Sequence, residues 1–498
     1  MRRIRNAVFA SCLLIPLFWA CSGSADKKGP YFGNGFRNGW ADQHSVVIWT
    51  RLTKTPELNR SGPPFKLPET EANKLAKLTS KEQIMKEQLP DGYTLDQMEG
   101  ACPGANGEVK LTWFAKNSSE EKEESGWMKV NPEMDFTHQW RLEKLKSGTE
   151  YTLKLYARAT ETSAINDSIE GFFQTPPDSA VVGNLRFCIV TCHDYPRRDD
   201  PVNGHKIYTA MLKQMPHFYV HTGDVEYYDK PYPYALTEEL MRFKWNRIFA
   251  LPNQRLFFTE VTTYFMKDDH DVLRDDAYPG MNYGQVSFGR GLEIFDKEQF
   301  PSNDKPYKTV RWGKDLQIWI MEGRNFRSPN NLPDGPGKTI WGAEQKAWLF
   351  RTLKESNATF KLVIVSSPIL GPDRKNKKDN YSNAVFKTEG DEIRQELNHY
   401  KNLVILNGDR HWQYVTHPRE TNLWEFSCGA GSDAHAEGWP PGEIRPEHRF
   451  LRVKGGYLYG TTKTGENGNI LLTLQHCDVD GNVVHEEIFN ATDQNNSK

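Results

Sequence analysis

Apolar and polar positions follow two different rhythms along the chain. From residue 30 to residue 176 they form short, partly alternating runs rich in β-branched and aromatic residues: VVIWTRL (46–52), EVKLTWFA (108–115), YTLKLYARA (151–159) and GFFQT (171–175). Alternation of this kind belongs to strands with one covered face, and turn residues such as Ser147-Gly148 separate the runs. The pattern predicts a small antiparallel β-sandwich. Residues 56–106 interrupt it with Pro-rich ends and a polar, Lys-rich middle of helical character, TEANKLAKLTSKEQIMKEQL. That stretch reads as a solvated surface insertion, with a lid over a site as the alternative.

After Thr175-Pro176-Pro177-Asp178, where paired prolines end the last strand, the rhythm changes. Over residues 184–498, compact apolar runs alternate with amphipathic stretches. RFCIVTC (186–192) precedes the helical HKIYTAMLKQM (205–215), and HFYVHTGD (217–224) precedes TEELMRFKWNRIFA (237–250). LQIWIME (316–322), FKLVIVSS (360–367) and NLVILNGD (402–409) alternate with the helical AEQKAWLFRTLKES (343–356) and DEIRQELNHY (391–400). YLYGTTKT and NILLTLQHCDVDG return to strand character and are expected to complete the sheet or cover its edge. Continuous apolar strands with helices between them predict a layered α/β domain, its β-sheet core flanked by helices.

Composition narrows the function. The 498 residues exceed one hydrophobic core, which fits two folded domains. Sixty-three basic residues face 65 acidic ones, a net charge of −2, so neither a basic field for nucleic acid nor an acidic tail is present, and no protein partner is expected. Arg2, Arg3 and Arg5 precede an apolar run at residues 7–20. That run is shorter than the ~20 residues of a spanning helix, so residues 1–20 read as a signal peptide. Ala20-Cys21 and the small, polar Ser22-Gly23-Ser24-Ala25-Asp26 resemble a bacterial lipoprotein signal, with Cys21 lipidated and residues 21–29 as the tether. Phe18-Trp19 depart from that pattern, and ordinary cleavage with Cys21 incidental is the other reading. The expectation is export and a lipid anchor in a membrane, facing the periplasm or the exterior. Cys102, Cys188, Cys192, Cys428 and Cys477 form neither a CxxC zinc pattern nor a disulfide framework.

Polar residues gather where apolar strands end, the position at which layered α/β folds bind ligands. Four such tips stand out: Thr191-Cys192-His193-Asp194, Gly223-Asp224-Val225-Glu226-Tyr227, Asp268-Asp269-His270-Asp271 and Gly408-Asp409-Arg410-His411. Phosphate esters resist bulk water, and two metal ions ~3.5–4 Å apart can hold both a hydroxide and the leaving oxygen in line. That chemistry needs a bridging carboxylate, further O and N ligands, and an acid. Asp224 can bridge. Asp269, Asp409 and His411 can complete two ligand sets, and His270 can serve as the acid. The anionic donors Cys192 and Tyr227 favour Fe(III), while Asp269 and Asp409 suit a divalent ion: Ca, Mg, Mn or Zn. His193 reads as supporting or exposed, Asp268 as a turn cap, Tyr228 as packing, and His205 and His221 as structural.

Together the four tips resemble the alkaline phosphatase D (PhoD-like) branch of the calcineurin-like metallophosphoesterases. Its signatures run roughly Ser-Cys-Gln, Gly-Asp-x-x-Tyr, Asp-Asp-His-Glu and Gly-Asp-x-His. VVIWTRL and WGAEQKAWLFRTLKES extend the resemblance to nearly the whole chain from residue 30. It implies a metallophosphoesterase-type layered core over residues 184–498, behind the β-sandwich. It also implies a ferric ion on Cys192, Asp224, Tyr227 and His411, and a second metal on Asp224, Asp269 and Asp409, with His270 assisting the leaving group. Arg324, in Glu322-Gly323-Arg324, matches the family's Asp-x-Arg and would hold a phosphate oxygen as a forked donor. A structural ion pair is its other reading. Ser366, Ser367, Asp275 and Asp276 lie where further ligands would come from.

The departures are Thr191, His193, Asp271 and Glu322, with bulky neighbours around His411, and they bear on substrate choice. The implied function is hydrolysis of phosphate mono- or diesters by metal-bound hydroxide, without a covalent phosphoenzyme. Two alternatives stand beside it: a phospholipid or teichoic-acid diesterase with the same site, and a metal-binding surface lipoprotein of little turnover.

Overall fold

The computed structural model describes residues 29–116 and 122–491. The expected signal peptide and Cys21 lie outside the described residues. Among those described, no helix is long and apolar enough to cross a membrane.

The N-terminal runs form two antiparallel sheets. Phe36–Gly39, Val46–Arg51 and Thr137–Leu142 make one of three strands. Glu123–Lys129, Glu108–Ala115, Glu150–Arg158 and Asp167–Gln174 make one of four, in that order. Val46, Ile48 and Trp140 from the first share a buried core with Val109, Leu111, Leu153 and Leu155 from the second.

Residues 56–106 differ from the solvated insertion expected. Helices Ala72–Leu75 and Lys81–Gln88 bury Leu75 and Ile84 in a core that also holds Leu240 and Phe243 of helix Glu238–Phe249. Gln88 exchanges side-chain hydrogen bonds with the backbone of Tyr234, accepting at 2.7 Å and donating at 3.1 Å. A few apolar side chains among many Lys and Glu carry this packing, and a polar average hides them.

Beyond residue 184 two large sheets face each other. The six-stranded sheet runs Thr262–Phe265, Phe218–His221, Leu185–Val190, Tyr457–Thr464, Ile470–Cys477, Val483–Asn490. Its first three strands are parallel, and the C-terminal strands complete it antiparallel. The seven-stranded sheet runs Lys308–Trp312, Leu316–Ile320, Phe360–Val365, Leu403–Asn407, Glu425–Cys428, Gln413–Thr416, His448–Arg452, with a parallel centre.

Alternate residues divide between two sides, as the period of two requires. Phe187, Ile189 and Val220 meet Ile318, Ile364 and Leu406 between the sheets. Cys188, Val190 and Tyr219 face helices Lys206–Lys213 and Pro252–Glu260. Val363, Val365 and Ile405 face helices Gly342–Glu355 and Lys387–Leu397. Both strand faces are therefore apolar because both are covered, which bears out the layered α/β reading with its preceding sandwich.

Candidate metal centre

The parallel strands of both sheets end at one place, joined there by a bridge between Thr191 and Ala430. The Gly-Asp pairs are explained by how closely the tips approach. A Cβ on Gly223 would lie 2.7 Å from the backbone N of Asp268, and one on Gly408 would lie 2.6 Å from the hydroxyl of Thr191. No side chain fits either gap. Thr191 keeps the hydroxyl of the expected Ser and uses it as a clasp. It donates to the Gly223 carbonyl (3.1 Å) and accepts the Asp409 N–H (3.2 Å), tying the two sheets.

Three predicted ligands sit in left-handed backbone: Cys192 (φ 52°), Asp224 (φ 57°) and Asp409 (φ 63°). Non-glycine residues seldom adopt this region, and strain of this kind gathers where function over-determines the chain. Asp271 holds the second tip in shape. Its carboxylate accepts N–H bonds from Asp224 (2.6 Å), Val225 (2.8 Å), Glu226 (3.3 Å) and Asp268 (2.9 Å). The shorter acid in place of Glu therefore positions the loop that carries Asp224.

The side chains converge on Asp224. Ligand atoms of Cys192, Asp224 and His411 all lie within 4.8 Å of one another, as do those of Asp224, Asp269 and His270, and those of Asp224, Asp268 and Asp409. A further group joins Asp269 to Asp275 and Asp276. The Cys192 thiol lies 3.6 Å from Asp224 Oδ2. The Tyr227 hydroxyl lies 3.2 Å from Asp224 Oδ2 and 3.1 Å from His411 Nε2. Every predicted metal ligand is thus brought together. Ser366 and Ser367 are buried after the neighbouring strand Phe360–Val365.

The charge balance calls for a cation. Asp224 Oδ1 and Asp268 Oδ2 are buried with no hydrogen-bond partner. Burial first, then the charges of Asp269, Asp268 and Asp271, push the Asp224 carboxyl well above the usual carboxylate range. Burial likewise raises the Cys192 thiol and the Tyr227 phenol, and Asp224 adds to both. Clustered buried anions of this kind are stable only when protonated or bound to a cation. The donor set of carboxylates, imidazole, thiol and phenol fits a pair of metal ions.

His270 stacks beside Tyr227, ring centroids 4.2 Å apart, and its Nδ1 lies 2.7 Å from Asp229 Oδ1. Burial alone would lower its pKa, but Asp229, Asp269 and Asp224 hold it well above its ordinary value. Asp229 in turn is held down to about 2, burial opposing and the His270 charge winning. Arg324 is buried against the acids, with its Nε on Asp268, Nη2 3.5 Å from Asp269 and Nη1 3.4 Å from the Ala277 carbonyl. Asp268 therefore does more than cap helix Asp269–Val272. Glu322 accepts the Arg324 N–H at 2.5 Å and pairs with Lys267 at 2.7 Å.

Several residues enter the site that sequence reasoning had set aside. His193 is buried, its Nδ1 2.7 Å from His221 Nε2, while His221 Nδ1 accepts the Gly223 N–H at 3.2 Å. His205 lies edge-on to His193, 4.6 Å between centroids. His435 joins them from the loop after strand Glu425–Cys428. It is fully buried against His411 (4.4 Å) and Tyr227 (5.1 Å), and neither ring nitrogen has a hydrogen-bond partner. A lone His in a Gly-rich loop carries no spacing signal, so only the fold reveals it. Arg410 also proves structural, pairing with Asp409 (2.6 Å), Asp373 (2.6 Å) and Asp379 (2.9 Å).

Comparison with known proteins bears on the family and the fold. A sequence model described as PhoD-like phosphatase matches residues 295–449. The matched segment holds Arg324, Asp409, His411 and His435, and leaves out Cys192, Asp224, Tyr227, Asp269 and His270. The fold matches that of PhoD with a TM-score of 0.65 at 15% identity, covering 93% of this chain and 89% of that one. It also matches a purple acid phosphatase, PPD1, from yellow lupin (Lupinus luteus) seeds, with a TM-score of 0.61 at 11% identity, covering 93% of this chain and 74% of that one. At these identities the likeness is one of fold. No curated protein matches the chain by sequence. The family resemblance read from the strand tips, and with it the expectation of a phosphoric ester hydrolase, is borne out.

Proposed function

On the premise that residues 295–449 are those of a PhoD-like phosphatase, we propose that the chain hydrolyses phosphate mono- or diesters at a two-metal centre bridged by Asp224. The observation that carries this is the sharing of Asp224 among three ligand groups that draw on both sheets. Cys192, Tyr227 and His411 would hold one ion with Asp224, and the thiol and phenol donors suit iron(III) there. Asp269 and Asp409, with Asp268 beside them, would hold a divalent ion. Bound metals supply a water made nucleophilic at neutral pH and positive charge for the phosphoryl oxygens.

The chain's own residues do the rest. His270, kept protonated and oriented by Asp229, would give its proton to the leaving oxygen. Arg324 already binds Asp268 and Asp269, so we assign it the positioning of those carboxylates rather than direct contact with phosphate. His435 is a spare imidazole packed on two ligands. For residues 1–28 the basic start, short apolar run and Cys21 support export and a lipid anchor. Labelled palmitate incorporated by the wild type and not by Cys21→Ser is the expected check.

The test uses purified protein lacking residues 1–21. Metal analysis should find iron and a second metal. Hydrolysis of p-nitrophenyl phosphate or its bis-ester should fall about 1000-fold or more, ~4 kcal/mol of barrier, in Asp224→Asn. Iron bound through Tyr227 should give a visible phenolate charge-transfer band that Tyr227→Phe removes. Failure to bind metal after reconstitution would sink the proposal, while bound metal without turnover on either ester would favour the binding-protein alternative.

A further inference from the structure

The loop between Asp373 and Asp379, whose two acids hold Arg410, borders a groove of about 470 Å³ whose lining includes Arg374, Lys375, Lys377 and Arg445, with Glu443 as the one acid. Four cations to one carboxylate is a strong local excess in a chain whose net charge is −2. Arg445 is partly neutralised by Glu443 (2.7 Å), and Lys377 pairs with Asp379 at 3.0 Å. Lys375 is exposed and has no ion pair among the described residues. The Arg374 guanidinium lies 5.3 Å from the ring of Trp412, and its Nε, which has no hydrogen-bond partner, lies 3.8 Å from Asp373.

Contacts connect this groove to the ligands. Asp379, which holds Lys377, also holds Arg410, and Arg410 holds Asp409. Lys377 further approaches Asp275 at 3.8 Å, next to the group around Asp269. Trp412, under Arg374, directly follows His411. The loop is also preformed. The Asp373 carboxylate accepts from Asn380 (2.8 Å) and pairs with Arg410, while its backbone carbonyl accepts from Arg445 (2.5 Å).

We propose that this groove is a second anion subsite, so that the preferred substrate carries a phosphate or carboxylate in addition to the phosphoryl group being cleaved. The inference rests on the phosphoesterase reading above and gives it a substrate class: esters whose leaving group is itself anionic. A solvated surface would explain scattered lysines. It does not explain two half-buried cations, Arg374 and Lys377, lining a concave space that is linked to the ligands through Asp379 and Arg410 on one side and through Asp275 on the other. An alcohol without charge would gain nothing from these cations, of which Lys375 has no ion pair among the described residues and Arg374 only a 3.8 Å approach to Asp373. A tail bearing phosphate or carboxylate meets a forked guanidinium and mobile ammonium groups already in place.

The experiment compares three flexible esters in the metal-loaded enzyme: propane-1,3-diol monophosphate, 3-phosphonooxypropanoate and propane-1,3-diol bisphosphate, with p-nitrophenyl phosphate as the reference. After correction for the two equivalent ends of the bisphosphate, at least one anionic-tailed ester should show kcat/KM about tenfold above the neutral-tailed one at low salt, converging as salt rises. The better of the two tails identifies phosphate or carboxylate as the second anion. Lys375→Glu should cut the preference several-fold. Lys354→Glu, an exposed change of equal charge on helix Gly342–Glu355, should not. Equal kcat/KM for all three esters, or equal effects of the two variants, would overturn the subsite while p-nitrophenyl phosphate hydrolysis left the phosphoesterase standing. No turnover of any of the four, nor of the p-nitrophenyl bis-ester, would bring down the phosphoesterase reading itself.

Discussion

Of the two sheets that meet at the metal centre, the six-stranded one brings Cys192, Asp224, Tyr227 and Asp269, and the seven-stranded one brings Asp409 and His411. They differ in how their charge is balanced without an ion. Asp224 has an orphaned buried oxygen and acidic neighbours, and its loop is shaped by Asp271 through backbone N–H bonds. Asp409 already has Arg410, which binds Asp373 and Asp379 as well. One side is therefore shaped by backbone hydrogen bonds, with the charge of His270 as the offset to Asp224, and the other is tied by a guanidinium, although burial pushes the Asp409 carboxyl up as well, to about 8. The lesson is that a single centre can be half prefolded and half dependent on its cations.

The largest expected effect tests that contrast by opposite signs. Arg410→Leu removes the shared partner of two buried carboxylates and the half-buried Asp409, and should destabilise the metal-free protein by ~3–5 kcal/mol, as breaking a buried pair does. Asp224→Asn should instead stabilise the metal-free protein by ~1–3 kcal/mol, because burial and three acidic neighbours outweigh the single charge of His270 at this carboxylate. Denaturant unfolding in chelator measures both. Destabilisation by both variants would show that Asp224 is as well matched as Asp409, and the comparison would break.

An intermediate effect sharpens the same contrast. Asp271→Asn keeps one acceptor oxygen but loses the charge that organises the N–H groups of residues 224–226. Metal affinity should fall about 10–100-fold, as it does when a group supporting a ligand is lost. The loss should be larger for the ion shared with Cys192 than for the one nearer Asp409. Titration of the metal-free protein with each ion, followed by elemental analysis, reads this directly.

How much of this was legible beforehand varies with the range of the interaction. Asp224, Asp269, Asp409 and their neighbours could be read because each follows an apolar strand, and strand ends in a layered fold converge. The core strands were readable for the same local reason. Asp271 could be seen only as a shortened acid, because its role depends on four amides brought together by tertiary folding. Arg410 could be seen only as bulk, since Asp373 and Asp379 lie some thirty residues earlier in a loop without pattern. His435 had no spacing partner at all. The packing of residues 56–106 was hidden because Leu75 and Ile84 are outnumbered by lysines and glutamates.

The smallest effect is a slope with pH. Asp224 has a raised folded-state pKa, so the folded chain holds this proton more tightly than the unfolded chain does. Its contribution to stability is therefore greatest at acid pH and declines as pH climbs above the unfolded carboxylate value, ~3.9, through the folded one. Buried His193, His411 and His435 act in the other direction. Burial depresses them, so they cost stability as pH falls below their unfolded value of ~6.5. Total stability mixes the two trends, but His193, His411 and His435 are common to wild type and Asp224→Asn and cancel in the difference, whereas His270, which Asp224 helps to hold protonated, offsets part of it. The stabilisation by Asp224→Asn in the metal-free protein should therefore be smallest near pH 4 and grow toward neutrality, by at most ~1.4 kcal/mol per pH unit. Saturating metal should reverse the sign of the difference, because the ion then occupies the place of the proton and binding to the wild type releases it. A difference that stays flat between pH 4 and pH 8 in chelator would mean Asp224 is ionised throughout, with a cationic partner inside the protein to match it.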